Sequence, residues 1–100
     1  MALFFIKDFS NCVDELNKRY CKRSKNKFGF SVNNGDHFEI FLTGKTYTRG
    51  NKNYYRKGSL ENKKMTIASS GNPIGCFNYL KYMDSKGRVK GMVKYYENKK

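Results

Sequence analysis

The segment from Gly44 to Gly58 holds the most informative chemistry in the sequence, because it interleaves cations with tyrosines and contains no acidic residue. Cationic side chains hold phosphate groups, and an aromatic face stacks on an unpaired base at about 1 to 3 kcal/mol per base. We predict that this segment binds nucleic acid. The alternative is a flexible β-hairpin whose tyrosines pack on a sheet and whose cations are merely solvated. The predicted binding residues are Lys45, Tyr47, Arg49, Lys52, Tyr54, Tyr55, Arg56 and Lys57.

A second group of cations lies in the second half of a predicted helix and just beyond it. Like charges four residues apart on a helix repel by a few tenths of a kcal/mol each. The helix dipole explains one or two cations near a C-terminus but hardly six, whereas a bound phosphate backbone would neutralise all of them. We therefore predict that this group belongs to the same binding site. Its members are Lys18, Arg19, Lys22, Arg23, Lys25 and Lys27.

The whole chain is strongly basic, with 21 Lys and Arg residues against 8 Asp and Glu and a formal net charge of +13. Self-repulsion of this size disfavours a compact state unless a polyanion or counterions relieve it. An AT-rich genome, whose codons favour Lys and Asn, accounts for part of the lysine excess but not for the scarcity of acidic residues. The balance predicts a nucleic-acid backbone as partner, RNA in preference to DNA, with an affinity that falls steeply with salt.

The sequence contains few of the residues and motifs that catalysis would require. His37 is the only histidine, which excludes a metal cluster of several imidazoles and a two-histidine ribonuclease mechanism. The triplet from Gly44 to Thr46 resembles the end of a phosphate-binding P-loop, but Glu39 stands where that loop requires glycine. We predict no enzyme activity, no cofactor and no bound metal.

The cysteines Cys12, Cys21 and Cys76 form no CxxC pair and are odd in number, so neither a disulfide framework nor a zinc site is indicated. We expect free thiols in a reducing compartment and place the protein in the cytoplasm, that of the host cell if the protein is viral. The apolar run from Ala2 to Ile6 is too short for a membrane span and predicts a buried strand, so no membrane association is expected.

The helix that carries the second group of cations is predicted from an apolar stripe with spacings of four, three and four residues. Ser10 or Asn11 would cap its N-terminus. Asp14 and Glu15 would lie near the first turn, favourable to the helix dipole, and the helix would end near Asn26. The stripe consists of Phe9, Val13, Leu16 and Tyr20.

Strand chemistry follows the predicted helix. Alternating apolar residues over 28–32 and 38–42 flank the dipeptide Asn34-Gly35, which favours a hairpin because both residues tolerate positive φ. A further strand is expected over Met65 to Ser69, where apolar and polar residues again alternate.

Residues 74–84 fit two alternatives. An apolar residue at every third position and the pair Asn72-Pro73 indicate a helix. Gly75 and the β-favouring Cys, Phe and Tyr residues indicate instead a hairpin that turns at 84–87. We favour the hairpin, and we predict a closing strand over Val89 to Tyr96.

Together these elements predict one α+β nucleic-acid-binding domain over residues 1–97, with an N-terminal amphipathic helix packed on a bent antiparallel sheet of five or more strands, and a basic tail at 98–100. The predicted function is RNA binding, with Lys and Arg on phosphates and Tyr on bases. The first alternative is an inhibitor of a host toxin ribonuclease or other defence protein, acting through protein and RNA contacts, since the size, charge and residue usage resemble those of small early bacteriophage proteins. A small ribonuclease is the third interpretation.

Overall fold

A computed structural model of the chain describes the backbone of residues 2–98 and the side chains of residues 6–97. The architecture is α+β, as predicted, with three helices and two antiparallel sheets. In chain order the elements are α1 (Ala2–Tyr20), β1 (Asn26–Asn33), β2 (His37–Gly44), β3 (Thr46–Arg49), β4 (Lys52–Tyr55), β5 (Met65–Ser70), α2 (Pro73–Ser85) and α3 (Arg88–Asn98).

The hairpin predicted around Asn34-Gly35 is confirmed. Strands β1 and β2 pair in register from Asn26 opposite Gly44 to Asn33 opposite His37. Asn34 and Gly35 both adopt positive φ, at 53° and 75°, as a type I′ turn requires. Strand β5 is also confirmed, and it pairs with the other side of β2 to complete a three-stranded sheet of order β1-β2-β5.

The three helices share one core with this sheet. The ring of Phe9 on α1 lies at its centre and stacks on Phe38 at 5.5 Å and on Phe77 of α2 at 4.4 Å between ring centroids. Val89 of α3 is fully buried in the same cluster. The predicted apolar stripe of α1 therefore faces the sheet, as the spacing of its residues indicated.

The predicted size of the sheet is wrong. Strands β3 and β4 form a separate two-stranded sheet, so the chain does not build one sheet of five or more strands. A register shift between Ile40 and Phe41 interrupts the pairing of β2 with β5. Strands β3 and β4 form a hairpin that projects from the rest of the protein, and every one of their residues is exposed.

The bounds predicted for the first helix are also wrong. Helix α1 begins at Ala2, so the expected strand over Ala2 to Ile6 is helical and the expected caps Ser10 and Asn11 lie inside the helix. Ala and Leu at the start of this run are strong helix formers, which a short apolar run does not distinguish from a strand.

Helix α1 ends at Tyr20, and residues 21–25 turn the chain into β1. Asn26 is therefore not the end of the helix: it is the fully buried first residue of β1, and its side-chain oxygen accepts a hydrogen bond from the backbone N–H of Leu60 at 2.8 Å. Repulsion of Lys22 and Arg23 by the cations one turn earlier weakens any continuation of the helix.

Residues 73–85 and 88–98 are helical, so both the favoured hairpin over 74–84 and the strand over Val89 to Tyr96 are wrong. The side-chain oxygen of Asn72 accepts hydrogen bonds from the N–H groups of Ile74 and Gly75, and Pro73 occupies the first turn, which starts α2. These start signals outweigh the β propensities of the residues that follow.

Helix α3 reaches Asn98, so the first residue of the predicted tail is helical, and the other two, residues 99 and 100, lie outside the described residues. Between residues 2 and 98, no helix has the length and apolar character needed to cross a lipid bilayer.

Candidate nucleic-acid interface

A shallow groove of about 400 Å³ lies where the end of α1, the start of β1 and the base of the β3-β4 hairpin meet. It joins the two cationic segments singled out in the sequence, although Lys27 and Lys45 are 18 positions apart along the chain. We call it the basic groove. Its lining consists of Asn17, Lys18, Cys21, Lys22, Lys27, Lys45 and Thr46.

Two local arrangements shape this groove. The side chain of Asn17 on α1 pairs with the backbone of Phe28, accepting from its N–H at 2.7 Å and donating to its carbonyl oxygen at 3.2 Å. This contact fixes the last turn of α1 against β1. Lys18 on this last turn, Lys22 just beyond the helix end and Lys27 on β1 all line the groove.

Lys45 connects the hairpin to the helix end. Its ammonium group donates to the carbonyl oxygen of Cys21 at 2.5 Å, and its backbone N–H donates to the carbonyl oxygen of Lys25 at 2.9 Å. The same carbonyl oxygen also accepts from the backbone N–H of Ser24 at 3.3 Å, so Lys45 adds a cation to a carbonyl that follows the helix C-terminus. Lys45 is therefore half-buried and structurally engaged, unlike the exposed lysines around it.

The β3-β4 hairpin has two chemically different faces. Its register places Tyr47 opposite Tyr54 and Arg49 opposite Lys52, and side chains two residues apart point the same way. These four residues therefore share one face, which we call the ring face. The opposite face carries Thr46, Thr48, Asn53 and Tyr55.

The ring face presents a stacked aromatic pair to solvent. The rings of Tyr47 and Tyr54 lie 5.7 Å apart between centroids with an angle of 29° between their planes. Each of the two tyrosines is 43% exposed. On the opposite face, the hydroxyl group of Thr48 donates to the side-chain oxygen of Asn53 at 2.7 Å, so that face is polar and uncharged within the paired strands.

The base of the hairpin is tied to the body at Gly44 and is closed by a backbone bond between its two sides. The backbone N–H of Gly44 donates to the carbonyl oxygen of Glu61 at 3.0 Å, and that of Arg56 donates to Lys45 at 2.9 Å. Arg56 and Lys57 follow β4 as exposed residues at this base. The tip is free of such contacts and turns through Gly50, whose φ is 65°.

Arg19 lies apart from the groove. Its guanidinium group contacts Asp84 of α2 at 3.3 Å and Glu15 of α1 at 3.9 Å. Those two contacts are the only ion pairs found among the described residues. Lys18, Lys22 and Lys27 thus form no ion pair with any described residue, while Arg19 bridges two helices.

Arg23 and Lys25 lie on the exposed turn between α1 and β1. This turn is held by a residue that the sequence analysis missed. Glu97 of α3 accepts from the backbone N–H of Lys25 at 2.9 Å and from the hydroxyl group of Ser24 at 2.5 Å. The sequence does single out this residue, because Glu97 is the only acidic residue after Asp84.

The thiol that lines the groove is unreactive. Burial raises the pKa of Cys21 to about 11, and the nearby Lys45 only partly opposes that effect. The thiol is therefore protonated at neutral pH and is a poor nucleophile. All three cysteines are free, as predicted.

His37 is exposed at the turn of the β1-β2 hairpin, the end opposite to that at which Asn26 pairs with Gly44. In the described part of the chain, no three His, Cys, Asp or Glu side chains are grouped so that they would hold a metal ion.

The structure thus gathers the predicted site residues unevenly. The groove takes Lys18, Lys22, Lys27 and Lys45, and the ring face takes Tyr47, Arg49, Lys52 and Tyr54. Arg19 and Tyr55 point elsewhere. Searches of protein-family models, of curated proteins and of solved structures find no match to this chain.

Proposed function

We propose that the protein binds nucleic acid, RNA in preference to DNA, through the basic groove and the adjoining hairpin. The observation that carries this proposal is the convergence of Lys18, Lys22 and Lys27 on one groove in which no ion pair neutralises them. Concentrating like charges costs free energy, and a phosphate backbone laid along the groove offsets that cost.

Backbone binding of this kind has a defined electrostatic signature. Each phosphate neutralised on a single strand releases condensed counterions and contributes about −0.7 to the slope of log affinity against log salt concentration. Three groove lysines that each contact a phosphate would contribute about −2 to that slope. RNA is the favoured nucleic acid because its unpaired bases are commonly available to aromatic side chains such as Tyr47 and Tyr54.

Binding without turnover is the proposed activity. The ionisable groups that line the groove are lysines and the buried thiol of Cys21, whose pKa of about 11 leaves it protonated. None of these side chains is held by a neighbouring general base or acid in the way that acid–base catalysis requires.

The test is a titration with labelled single-stranded RNA, duplex RNA and duplex DNA at two salt concentrations. Lys18, Lys22 and Lys27 are replaced together by Ala in one variant. The matched control removes three exposed lysines from α2 and α3, which lowers the net charge equally. The control residues are Lys81, Lys90 and Lys94.

The groove variant is expected to lose most of its RNA affinity and about 2 from the salt slope, while the control keeps a slope close to that of the unmodified protein. Equal losses in the two variants would show that net charge, not the groove, drives binding. The absence of RNA binding at low salt would refute the proposal.

The second candidate function is binding to a host defence protein, such as a toxin ribonuclease, and one observation favours it. Helix α2 exposes large apolar and aromatic side chains outward, with Ile74 61% and Tyr82 55% exposed and Tyr79 beside Tyr82 at 6.2 Å between ring centroids. Exposed aromatic residues of this kind are enriched at protein interfaces.

Lys86 lies over the ring of Tyr82 at 5.7 Å, so this face of α2 is cationic as well as aromatic and complements an acidic protein surface. Replacing Tyr79 and Tyr82 by Ala should abolish capture of such a target in high salt and leave RNA affinity intact. Loss of RNA binding in the same variant would assign this face to nucleic acid instead.

A further inference from the structure

We propose that the ring face of the hairpin selects single-stranded RNA over duplex RNA by stacking unpaired bases on Tyr47 and Tyr54, and that Tyr55 takes no part. This inference rests on the proposed function. It goes further by naming the form of RNA and by dividing three neighbouring tyrosines, two of them adjacent in sequence, into different roles.

The division follows from the strand register. Tyr54 lies directly opposite Tyr47, whereas Tyr55 lies opposite Thr46 on the other side of the two-stranded sheet. Tyr54 and Tyr55 are exposed to nearly the same extent, at 43% and 41%. They therefore differ in the face they occupy and in their neighbours, not in accessibility.

The paired rings are ordered before any base arrives. Tyr47 and Tyr54 restrain one another across the strands at 5.7 Å between centroids and still expose ring surface. A ring that is already held in place loses little rotational freedom when a base stacks on it. Stacking on this pair is consequently more favourable than stacking on an isolated tyrosine.

Cations flank the rings along the same face. Arg49 and Lys52 form the next pair towards the tip, about 6.8 Å along each strand from the tyrosines. Towards the base, the exposed Arg56 directly follows β4, two residues after Tyr54. Phosphates on either side of a stacked base thus meet positive charge in both directions.

A duplex fits this hairpin poorly. A β-ribbon that enters a duplex groove has phosphates on both sides of it, and the deep, narrow major groove of A-form RNA does not admit protein side chains. Here the face formed by Thr46, Thr48, Asn53 and Tyr55 carries no charge. Because the rings and the cations all lie on the ring face, the hairpin suits a single RNA strand that lies across that face.

The experiment compares Tyr54→Ala with Tyr55→Ala in the full chain. The probe is a short single-stranded RNA that contains 2-aminopurine, whose fluorescence is quenched on stacking, with an RNA duplex of the same length as competitor. Circular dichroism establishes that both variants fold. Tyr54→Phe keeps an aromatic ring and serves as the conservative variant.

Tyr54→Ala is expected to lower affinity for the single strand by about 5- to 100-fold and to remove the quenching. Tyr55→Ala and Tyr54→Phe should stay within about twofold of the unmodified protein. Duplex affinity should be nearly equal in all four proteins.

Equal losses in Tyr54→Ala and Tyr55→Ala, or equal affinity of the unmodified protein for duplex and single strand, would overturn the inference. Either result would leave the proposed function standing as long as the salt slope still depends on Lys18, Lys22 and Lys27. If the unmodified protein binds neither form of RNA, the proposed function fails first, and the two failures are thereby distinguished.

Discussion

The carboxylate of Glu97 accepts a hydrogen bond at 2.9 Å from the backbone N–H of Lys25, which lies 72 positions earlier in the sequence. The hydroxyl group of Ser24 donates a second hydrogen bond to the same carboxylate. The same hydroxyl oxygen accepts from the backbone N–H of Asn26 at 3.0 Å. Helix α3 thereby fixes the turn that leads from the cationic end of α1 into β1.

Removing this carboxylate should loosen the turn. We expect Glu97→Ala to lower the free energy of unfolding by about 1 to 3 kcal/mol, because the N–H of Lys25 loses a charged acceptor. Urea denaturation measures the loss. Affinity for RNA should also fall, even though the substitution makes the protein more positive.

Asp14→Ala is the control for charge, since Asp14 is exposed on α1 and its removal raises the net charge by the same amount. This control should keep its stability and bind RNA at least as tightly as the unmodified protein. Tighter RNA binding by Glu97→Ala would contradict the proposed role, because it would show that the carboxylate merely repels phosphate.

Gly44, where the β3-β4 hairpin joins the rest of the protein, is expected to tolerate no side chain. A Cβ there would collide with the backbone nitrogen of Glu61 and lie 2.6 Å from the hydroxyl oxygen of Ser59. Gly44→Ala should therefore destabilise the protein by about 1 to 3 kcal/mol, as overpacking does elsewhere, and should misplace the hairpin.

Gly91→Ala provides the comparison, since an added Cβ at Gly91 meets open space on α3. That substitution should stabilise the protein by about 0.5 to 1 kcal/mol through helix propensity. Thermal unfolding followed by circular dichroism gives both values, and a Gly44→Ala variant as stable as Gly91→Ala would refute the close approach.

Alkaline pH should destabilise the fold through its buried thiols. Burial raises the pKa of Cys76 to about 11 from an ordinary value of 9.0, and Cys21 behaves alike. A raised pKa in the folded state means that the stability from keeping the thiol neutral is complete below pH 9 and is lost as the pH rises towards 11.

Between pH 8 and pH 10.5 we expect Cys76 to account for about 1 to 2 kcal/mol of lost stability. Cys76→Ala lowers stability at both pH values by leaving a small cavity, but the difference between the two pH values should shrink by that amount. Urea denaturation under reducing conditions measures it. An unchanged difference would mean that the thiol titrates near its ordinary pKa.

Local turn chemistry explains which parts of the fold were predictable. Asn34-Gly35 supplies the positive φ that a tight hairpin needs, so β1 and β2 follow from a dipeptide and its flanking alternation. Val89 and Val93 have a spacing that fits one face of a helix and also alternate positions of a strand. Only their packing against α2 and the sheet, which is a tertiary effect, selects the helix.

The candidate site was likewise predictable only in part. Residue types identified the two cationic segments, but the contact between Lys45 and Cys21 that brings them together depends on where α1 ends. The assignment of Tyr54 and Tyr55 to different faces depends on the register of β3 and β4. Composition contains neither piece of information, and both become visible only in three dimensions.

Lys45 and Lys22 should separate structural from binding lysines within the basic groove. The ammonium group of Lys45 donates to the carbonyl oxygen of Cys21, whereas Lys22 is exposed and forms no ion pair with another described residue. Replacing either by Met removes one charge and retains an apolar stem, so the two variants are electrostatically matched.

Lys45→Met is expected to lower the free energy of unfolding by about 1 to 2 kcal/mol, because a charge-assisted hydrogen bond is lost, while the salt slope of RNA binding changes little. Lys22→Met should do the reverse, leaving stability unchanged and reducing the slope by about 0.7. Urea denaturation and RNA titration on the same preparations measure both effects. If Lys45→Met reduced the slope as much as Lys22→Met, the ammonium group of Lys45 would have to leave Cys21 when phosphate binds.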